Sequence, residues 1–507
     1  MKRGGRHYFK KAFLLPGSSI PNGWYRRVSF PAVQVTPYVW EIPTSYKKGM
    51  RVPARIYASQ SLMSAMDAGV FDQVTNVATL PGIVRFAYAM PDAHWGYGFP
   101  IGGVAAFDAE EGVISPGGIG FDINCGMKLV RTELTKDEVV PKLRELVDEL
   151  LRLVPAGVGA QGFVKLNQSQ FVEVMTNGLK WALENGYAVK EDLERTEEGG
   201  VIAGANHTKV SREAYKRGIN QLGTLGSGNH YLEVQYTRKP DDERVAKQLG
   251  IFGENQVVIM LHCGSRGFGH QIATDYLQVF DKVMRNHGIS VPDRELACAP
   301  FKTSEAQDYY AAMACGANMA FTNRQVIVHR IRQAFEKVFK RDWESMGMRV
   351  VYDVAHNMAK LERHKVDGEV RQLIVHRKGA TRAFGPSAEL PEFFKSTGQP
   401  VIIGGSMETG SYLLVGTDTA MSETFGSTAH GSGRTMSRTQ AKKQVRGEQL
   451  VREMEKRGII VRAASYSGVA EEAGMAYKDI FEVVNTVHQA GISKKVVGFV
   501  PIGNVKG

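Results

Sequence analysis

Cysteine is scarce in this 507-residue chain. Cys125, Cys263, Cys298 and Cys315 are the whole supply, and no two form a CxxC pair. A disulfide framework and a structural zinc ribbon are thereby excluded, and the thiols fit a reducing, cytoplasmic setting. There is no uninterrupted apolar run of 18 residues, so no membrane-spanning helix is expected. The basic start is followed by one short apolar run, 12–15, before Pro16, too short for a signal-peptide core. Linker-like stretches, repeats and long charge runs are missing beyond about residue 39. That favours one large continuous domain over the roughly three that length alone would allow. Wholesale disorder is excluded by 43% hydrophobic and 23% charged residues.

Acidic residues are nearly absent from the first 50 positions, where Glu41 faces nine lysines and arginines. Residues 1–36 carry seven basic side chains and no acidic one, interrupted by Pro16, Pro21 and Pro31. This segment reads as a basic N-terminal arm on a body, 37–507, that is close to charge balance. A polyanion partner, nucleic acid before membrane, fits that asymmetry, and so does a solubilising tail. Glycine is abundant, 55 residues, which points to tight loops and close backbone approaches.

Helical periodicity is plain over 137–154, ended by Pro155 and Gly157, and over 272–283, with Gly288 as the stop. Ser304 is placed to cap a longer helix running toward Phe339. Apolar runs between turn signals read as strands, so the fold class is mixed α and β. Three such runs lead into a histidine: 257–261 into His262, 350–355 into His356 and 373–375 into His376. In the second, alternation places Val350, Tyr352, Val354 and His356 on one face.

Small or polar residues follow each of these histidines. Two further segments, Gly226-Ser-Gly-Asn229-His230 and Thr428-Ala-His430-Gly-Ser-Gly-Arg434, combine glycine with histidine, and Asp122 and Cys125 share a glycine-rich turn. Imidazoles, one carboxylate and one thiolate make a transition-metal ligand set, assembled by the fold across positions 122 to 356. Spacing alone leaves open which ligands meet and how many metals they hold. His7, His207, His287, His329, His364 and His488 read as arm, helix or surface positions.

Six segments together resemble the RtcB family of RNA ligases: Phe121-Asp-Ile-Asn-Cys-Gly126, Leu225-Gly-Ser-Gly-Asn-His-Tyr-Leu-Glu233, His262-Cys-Gly-Ser-Arg-Gly267, Asp353-Val-Ala-His-Asn357, His376-Arg-Lys-Gly-Ala-Thr-Arg-Ala-Phe384 and Phe425-Gly-Ser-Thr-Ala-His-Gly-Ser-Gly-Arg434. The resemblance implies an α+β fold, a single large domain with complex mixed β-sheets flanked by helices. It implies ligation of RNA 2′,3′-cyclic phosphate or 3′-phosphate ends to 5′-hydroxyl ends with GTP and two manganese ions. By position, Cys125 matches the thiolate that bridges both metals. Asp122 and His230 match the remaining ligands of one ion, and His262 and His356 those of the other. His430 matches the histidine that carries GMP. Asn229, Glu233, Ser406, Ser411, Tyr477 and Lys506 match the guanosine-nucleotide pocket.

The residue chemistry agrees with those roles. A neutral imidazole such as His430 is nucleophilic near pH 7. Arg266, Lys378, Arg434 and Arg438 are candidates for clamping RNA phosphates, and Asp92, in Met90-Pro-Asp-Ala-His-Trp-Gly-Tyr97, for helping activate the 5′-hydroxyl. The implied partners are RNA ends, from tRNA halves or other broken RNA, with an archaease-type activator whose requirement stays open. Four positions depart from the family pattern: Tyr231 for Phe, Ala429 for Cys, Cys263 for a small hydroxyl residue and Glu408 for Gly. The last puts the shape of the nucleotide pocket in question. Two other functions compete, a dinuclear metal phosphoesterase without His430 chemistry and a non-catalytic RNA-binding scaffold.

Overall fold

Along the strand Gln256–Cys263 of the computed structural model, successive side chains enter two different cores. Val257, Ile259, Leu261 and Cys263 pack against Leu146, Leu150, Ile331 and Phe335 of two helices. Val258 and Met260 pack on the other side with Met127, Tyr352 and Leu413. Period-two alternation in a sheet covered on both faces requires this, and it turns His262 away from the face that holds Cys263. The structure describes residues 31–507.

That strand lies within an eight-stranded sheet. Its order is Arg349–Ala355, Gly126–Thr135, Gln256–Cys263, Tyr231–Thr237, Ser493–Lys506, Ser411–Gly416 and Pro400–Ile403, with Ile460–Ala463 joining Ser493–Lys506 in parallel. A seven-stranded sheet runs Val33–Thr36, Val39–Ile42, Ala54–Tyr57, Ile83–His94, Ile101–Asp108, Glu369–Lys378 and Asn357–Val366. The chain passes from one sheet to the other at His356, since Ala355 ends one strand and Asn357 starts the next. Helices flank both sheets, and the 36-residue helix Ser304–Phe339 runs through the interior. The architecture is α+β with mixed sheets.

Several local expectations are adjusted. The helix expected over 137–154 is two, Lys136–Val139 and Leu143–Leu153, separated by a turn at Pro141, which has no N–H to continue the ladder. Thr303, not Ser304, caps the long helix by accepting a hydrogen bond from Ala306 N. A register shift between Val350 and Tyr352 moves Val350 to the opposite core from Tyr352 and Val354, so the four-residue face is only partly formed. His364 is not a surface residue: it is buried on the strand Asn357–Val366, 2.8 Å from Glu362, which in turn pairs with Arg377.

Residues 1–30 of the expected arm lie outside the described residues, and Val33–Thr36 pair with Val39–Ile42. Among the described residues no helix is long and apolar enough to cross a membrane.

Candidate metal centre and nucleotide cavity

Four neighbouring antiparallel strands deliver four of the expected ligands to one end of the eight-stranded sheet. Cys125 precedes Gly126–Thr135, His230 precedes Tyr231–Thr237, His262 is the penultimate residue of Gln256–Cys263, and His356 follows Arg349–Ala355. The register locks them level, with His262 opposite both Met127 and Tyr231, and Gly126 opposite Ala355. Asp122 completes the set from the preceding turn. Its carboxylate fills the space a side chain on Gly264 would need, a Cβ there lying about 2.4 Å from it. Glycine is therefore required at 264 by close approach, not by conformation.

Two groups of donor atoms share Cys125: Cys125, His262 and His356 form one, and Asp122, Cys125 and His230 the other, with all donor atoms of each within 4.8 Å. Cys125 Sγ is 3.2 Å from His262 Nε2 and 3.4 Å from His230 Nε2. His262 Nε2 is 3.2 Å from His356 Nε2, and His230 Nε2 is 2.9 Å from Asp122 Oδ2. His262 Nδ1 faces the Asn229 carbonyl and His230 Nδ1 that of Leu225, both at 2.9 Å. For His262 that contact favours a protonated Nδ1 and leaves Nε2 for a cation, whereas His230 Nδ1 is shared with Arg266 Nη1 and its Nε2 faces Asp122, so a cation there would displace the proton between them. Each donor group fits a transition-metal ion, and Cys125 is common to both.

Electrostatics agree with that use. Burial, reinforced by neighbouring histidines, pushes His262 and His356 well below the ordinary imidazole range, so both keep their lone pairs. Burial also lifts the Cys125 thiol, up to about 12, and only a bound cation would draw its proton off. Burial alone would raise Asp122 as well, but the hydrogen bond and charge of His230 hold its carboxyl below the usual range. Cys263 takes no part: its thiol lies 3.1 Å from the Leu225 carbonyl, on the opposite face of the strand.

His430 stands beside this cluster, its ring centroid 4.7 Å from that of His356. It leaves the short strand Ser427–Ala429, which pairs with Ala380–Arg382. Asp92 Oδ2 accepts from His430 Nδ1 at 2.6 Å and from the backbone N–H groups of His430 and Gly431 at 3.1 Å. Burial works to raise the Asp92 carboxyl, yet the charge and hydrogen bonds of His430 outweigh it and keep it ionised. Lys478 Nζ donates to the carbonyls of Pro91 and Ala93, gripping the backbone on both sides of Asp92. The buried carboxylate is thus turned to His430.

A cavity of about 750 Å³ opens onto His262, His356 and His430 and is also lined by Asn229, Ser406, Tyr477 and Lys506. Glu233 and Ser411 are buried next to these residues, both in contact with Gln235, Glu233 at 2.5 Å and Ser411 at 3.2 Å. Burial raises the Glu233 carboxyl to about 8. Glu408 is drawn aside by Arg457, at 2.5 Å, and accepts from Gly474 N, so it is not part of the lining. Tyr231 places its ring beside His262, 5.4 Å between centroids.

The phosphate candidates divide. Arg434 and Arg438 line the cavity and both reach Glu472 Oε1, at 3.2 and 3.1 Å. Glu472 also accepts from the Tyr477 hydroxyl and lies 4.0 Å from Lys506 Nζ, so one buried carboxylate organises four cavity groups. Arg266 lies behind the ligands, its Nη1 3.0 Å from His230 Nδ1. Lys378 is buried with its ammonium on the carbonyls of Tyr97 and Phe99, outside the lining. His376, the third strand-end histidine, accepts from Ser115 N inside the other sheet and stays away from the cluster.

Sequence reasoning passed over Glu472, Gln235 and Arg324. Arg324 is fully buried on the long helix and donates to Asp353, to the Asn124 and Cys263 carbonyls and to Asn124 Oδ1. It thereby ties the residues flanking Cys125 and His262 to one rigid helix. A signal for it exists: Arg324 is the one charged residue of 309–328, and a charge buried within a helix must be paired.

The family described as tRNA-splicing ligase RtcB matches residues 73–507. A protein of that name from Archaeoglobus fulgidus is 53% identical over 475 residues, covering 94% of this chain and 98% of its own. Relatives of the same name from Thermococcus kodakarensis and Pyrobaculum aerophilum are 53% and 54% identical over 483 residues, covering 95% and 94% of this chain and all of theirs.

Proposed function

Because the chain belongs to the tRNA-splicing ligase RtcB family, we propose that it is an RNA ligase joining 3′-phosphate or 2′,3′-cyclic phosphate ends to 5′-hydroxyl ends with GTP and manganese. The observation that carries this reading is the pairing of His430 with Asp92 beside a five-ligand cluster and a nucleotide-sized cavity. A hydrolytic phosphoesterase would use the cluster but would need no oriented histidine next to it. A binding scaffold would need neither.

Asp92 holds His430 in the tautomer with its proton on Nδ1, so Nε2 carries the lone pair. His430 Nε2 attacks the α-phosphorus of GTP, forming an N–P bond as pyrophosphate leaves. An oxygen of the RNA 3′-phosphate then takes the guanylyl group and the N–P bond breaks. Attack of the 5′-hydroxyl on the activated 3′-phosphorus forms the phosphodiester, releasing GMP and a proton. A cyclic phosphate end is first opened by one water. Asp122, Cys125, His230, His262 and His356 would hold two divalent cations, which would supply charge neutralisation and orientation at the phosphates. Arg434, Arg438 and Lys506 line the same cavity and add fixed positive charge as Glu472 releases them to phosphate oxygens. Ionised Glu233 accepts hydrogen bonds from a guanine edge, which adenine does not offer in that pattern.

Incubation with manganese and GTP labelled at the α-phosphate tests the reading. The expected product is an acid-labile, alkali-stable protein–GMP adduct that His430→Ala abolishes while metal content is retained. An adduct persisting in that variant assigns the nucleophile elsewhere, and none in the native chain favours the phosphoesterase.

A further inference from the structure

Among the described residues, Trp95 is the large apolar side chain that both lines the cavity and is strongly exposed, at 59%. Its mounting is rigid. His94 Nδ1 meets the Asp92 carbonyl at 3.0 Å on one side. On the other, Gly96 exchanges two hydrogen bonds with the buried side chain of Gln73, at 2.6 and 3.1 Å. The indole lies against Gly69 in the first turn of the helix Ala68–Val77, where a Cβ would come within about 1.9 Å of a ring carbon. Only glycine leaves room for the ring there, while much of its surface stays open to the cavity. A single exposed apolar residue is ordinary on a protein surface. One pinned on both flanks, next to a reactive histidine, is a built surface.

We infer that Trp95 is a stacking platform for a nucleobase at the RNA end brought to His430. The inference rests on the ligase reading above. Trp95 and its cavity neighbours Ala65, Asp67, His94 and Ile101 all come from the seven-stranded sheet and the helices beside it. The groups matched to guanosine nucleotide come instead from the eight-stranded sheet and the chain after residue 400. Ile101 and His430 both crowd the space beside Gly379, so the wall that carries Trp95 adjoins the nucleophile. Arginines and lysines in the lining answer phosphates, and an open π-face answers any base, independent of sequence.

The test measures equilibrium binding, without GTP, of short oligoribonucleotides ending in a 3′-phosphate or starting with a 5′-hydroxyl. Each is prepared intact and with one terminal or penultimate nucleotide made abasic. With the native chain one abasic position should weaken binding about 5- to 150-fold. Trp95→Ala should weaken the intact strand by a similar factor and lose all discrimination at that same position, whereas Trp95→Phe keeps most of both. The abasic series on the native chain needs no folded variant, and melting curves check the fold of the others. If no abasic position couples to Trp95, the platform does not exist. A loss of GTP affinity in Trp95→Ala with oligonucleotide binding intact assigns the ring to guanine and overturns the inference. If the native chain binds no oligonucleotide, the ligase reading falls and this falls with it.

Discussion

Asp92 and His430 lie 338 positions apart in sequence and meet at 2.6 Å, carboxylate Oδ2 to imidazole Nδ1. The same oxygen accepts two backbone N–H groups of the segment that carries the histidine, so ring and loop are held by one buried charge. Asp92→Asn keeps the shape but removes that charge and the preference for one tautomer. The rate of protein–GMP formation in a single turnover should fall by roughly two to four orders of magnitude with metal content unchanged. An unaltered rate would reduce Asp92 to a loop fastener.

Cys125 belongs to both donor groups, whereas His356 belongs to one. Cys125→Ala should therefore lose both tightly held metals and His356→Ala mainly one, as elemental analysis reads directly. With its thiol lifted to about 12 in the metal-free protein, Cys125 must shed a proton to coordinate. This group alone strengthens metal binding by up to tenfold for each unit of rising pH. Retention of two metals per chain in Cys125→Ala would make the thiol structural.

Much of this centre was legible in the sequence, because its ligands sit where apolar runs meet glycine-rich turns. Strand ends and turns leave that signature, which is why Cys125, His230, His262 and His356 could be marked without knowing the sheet order. The same logic also marked His376, which lies inside the other sheet, since a one-dimensional pattern does not say which strands are neighbours. What escaped were the supports. Glu472 and Gln235 act through contacts between elements far apart in sequence, and nothing adjacent to them differs from ordinary helix or strand, while Arg324 left only the trace of a lone charge in 309–328. The break at Pro141 was readable, while the bulge at Val350 depends on pairing with Gly126–Thr135 and was not.

Glu233 is buried, its carboxyl raised to about 8 by desolvation against the opposing influence of Gln235 and Lys506. To accept guanine N–H groups it must be ionised, so nucleotide binding below that point releases a proton. Affinity for GTP should climb by up to about tenfold per unit as pH rises toward about 8, then level off. In Glu233→Gln the affinity should be lower above pH 8 and this rise should vanish, while the titration of GTP itself is common to both proteins. Parallel pH profiles for the two would remove Glu233 from guanine recognition.

Residues 1–30 hold all seven basic side chains of the N-terminal segment and no acidic one. Val33–Thr36 pair in the seven-stranded sheet, so truncation after residue 30 spares that edge. Each phosphate that a lysine or arginine contacts on single-stranded RNA releases a counterion and adds about 0.7 to the magnitude of the log–log salt slope. If the segment lies along the RNA, the truncated chain should bind more weakly at low salt, with a slope flatter by about one to three units. The gap should close as salt rises, because the lost contacts are the screened ones. Protein–GMP formation should proceed as in the full chain, since every residue matched to it lies beyond position 90. Affinities measured at several salt concentrations with both chains decide the matter. An unchanged slope would mean that these basic residues serve solubility and leave RNA recognition to the cavity.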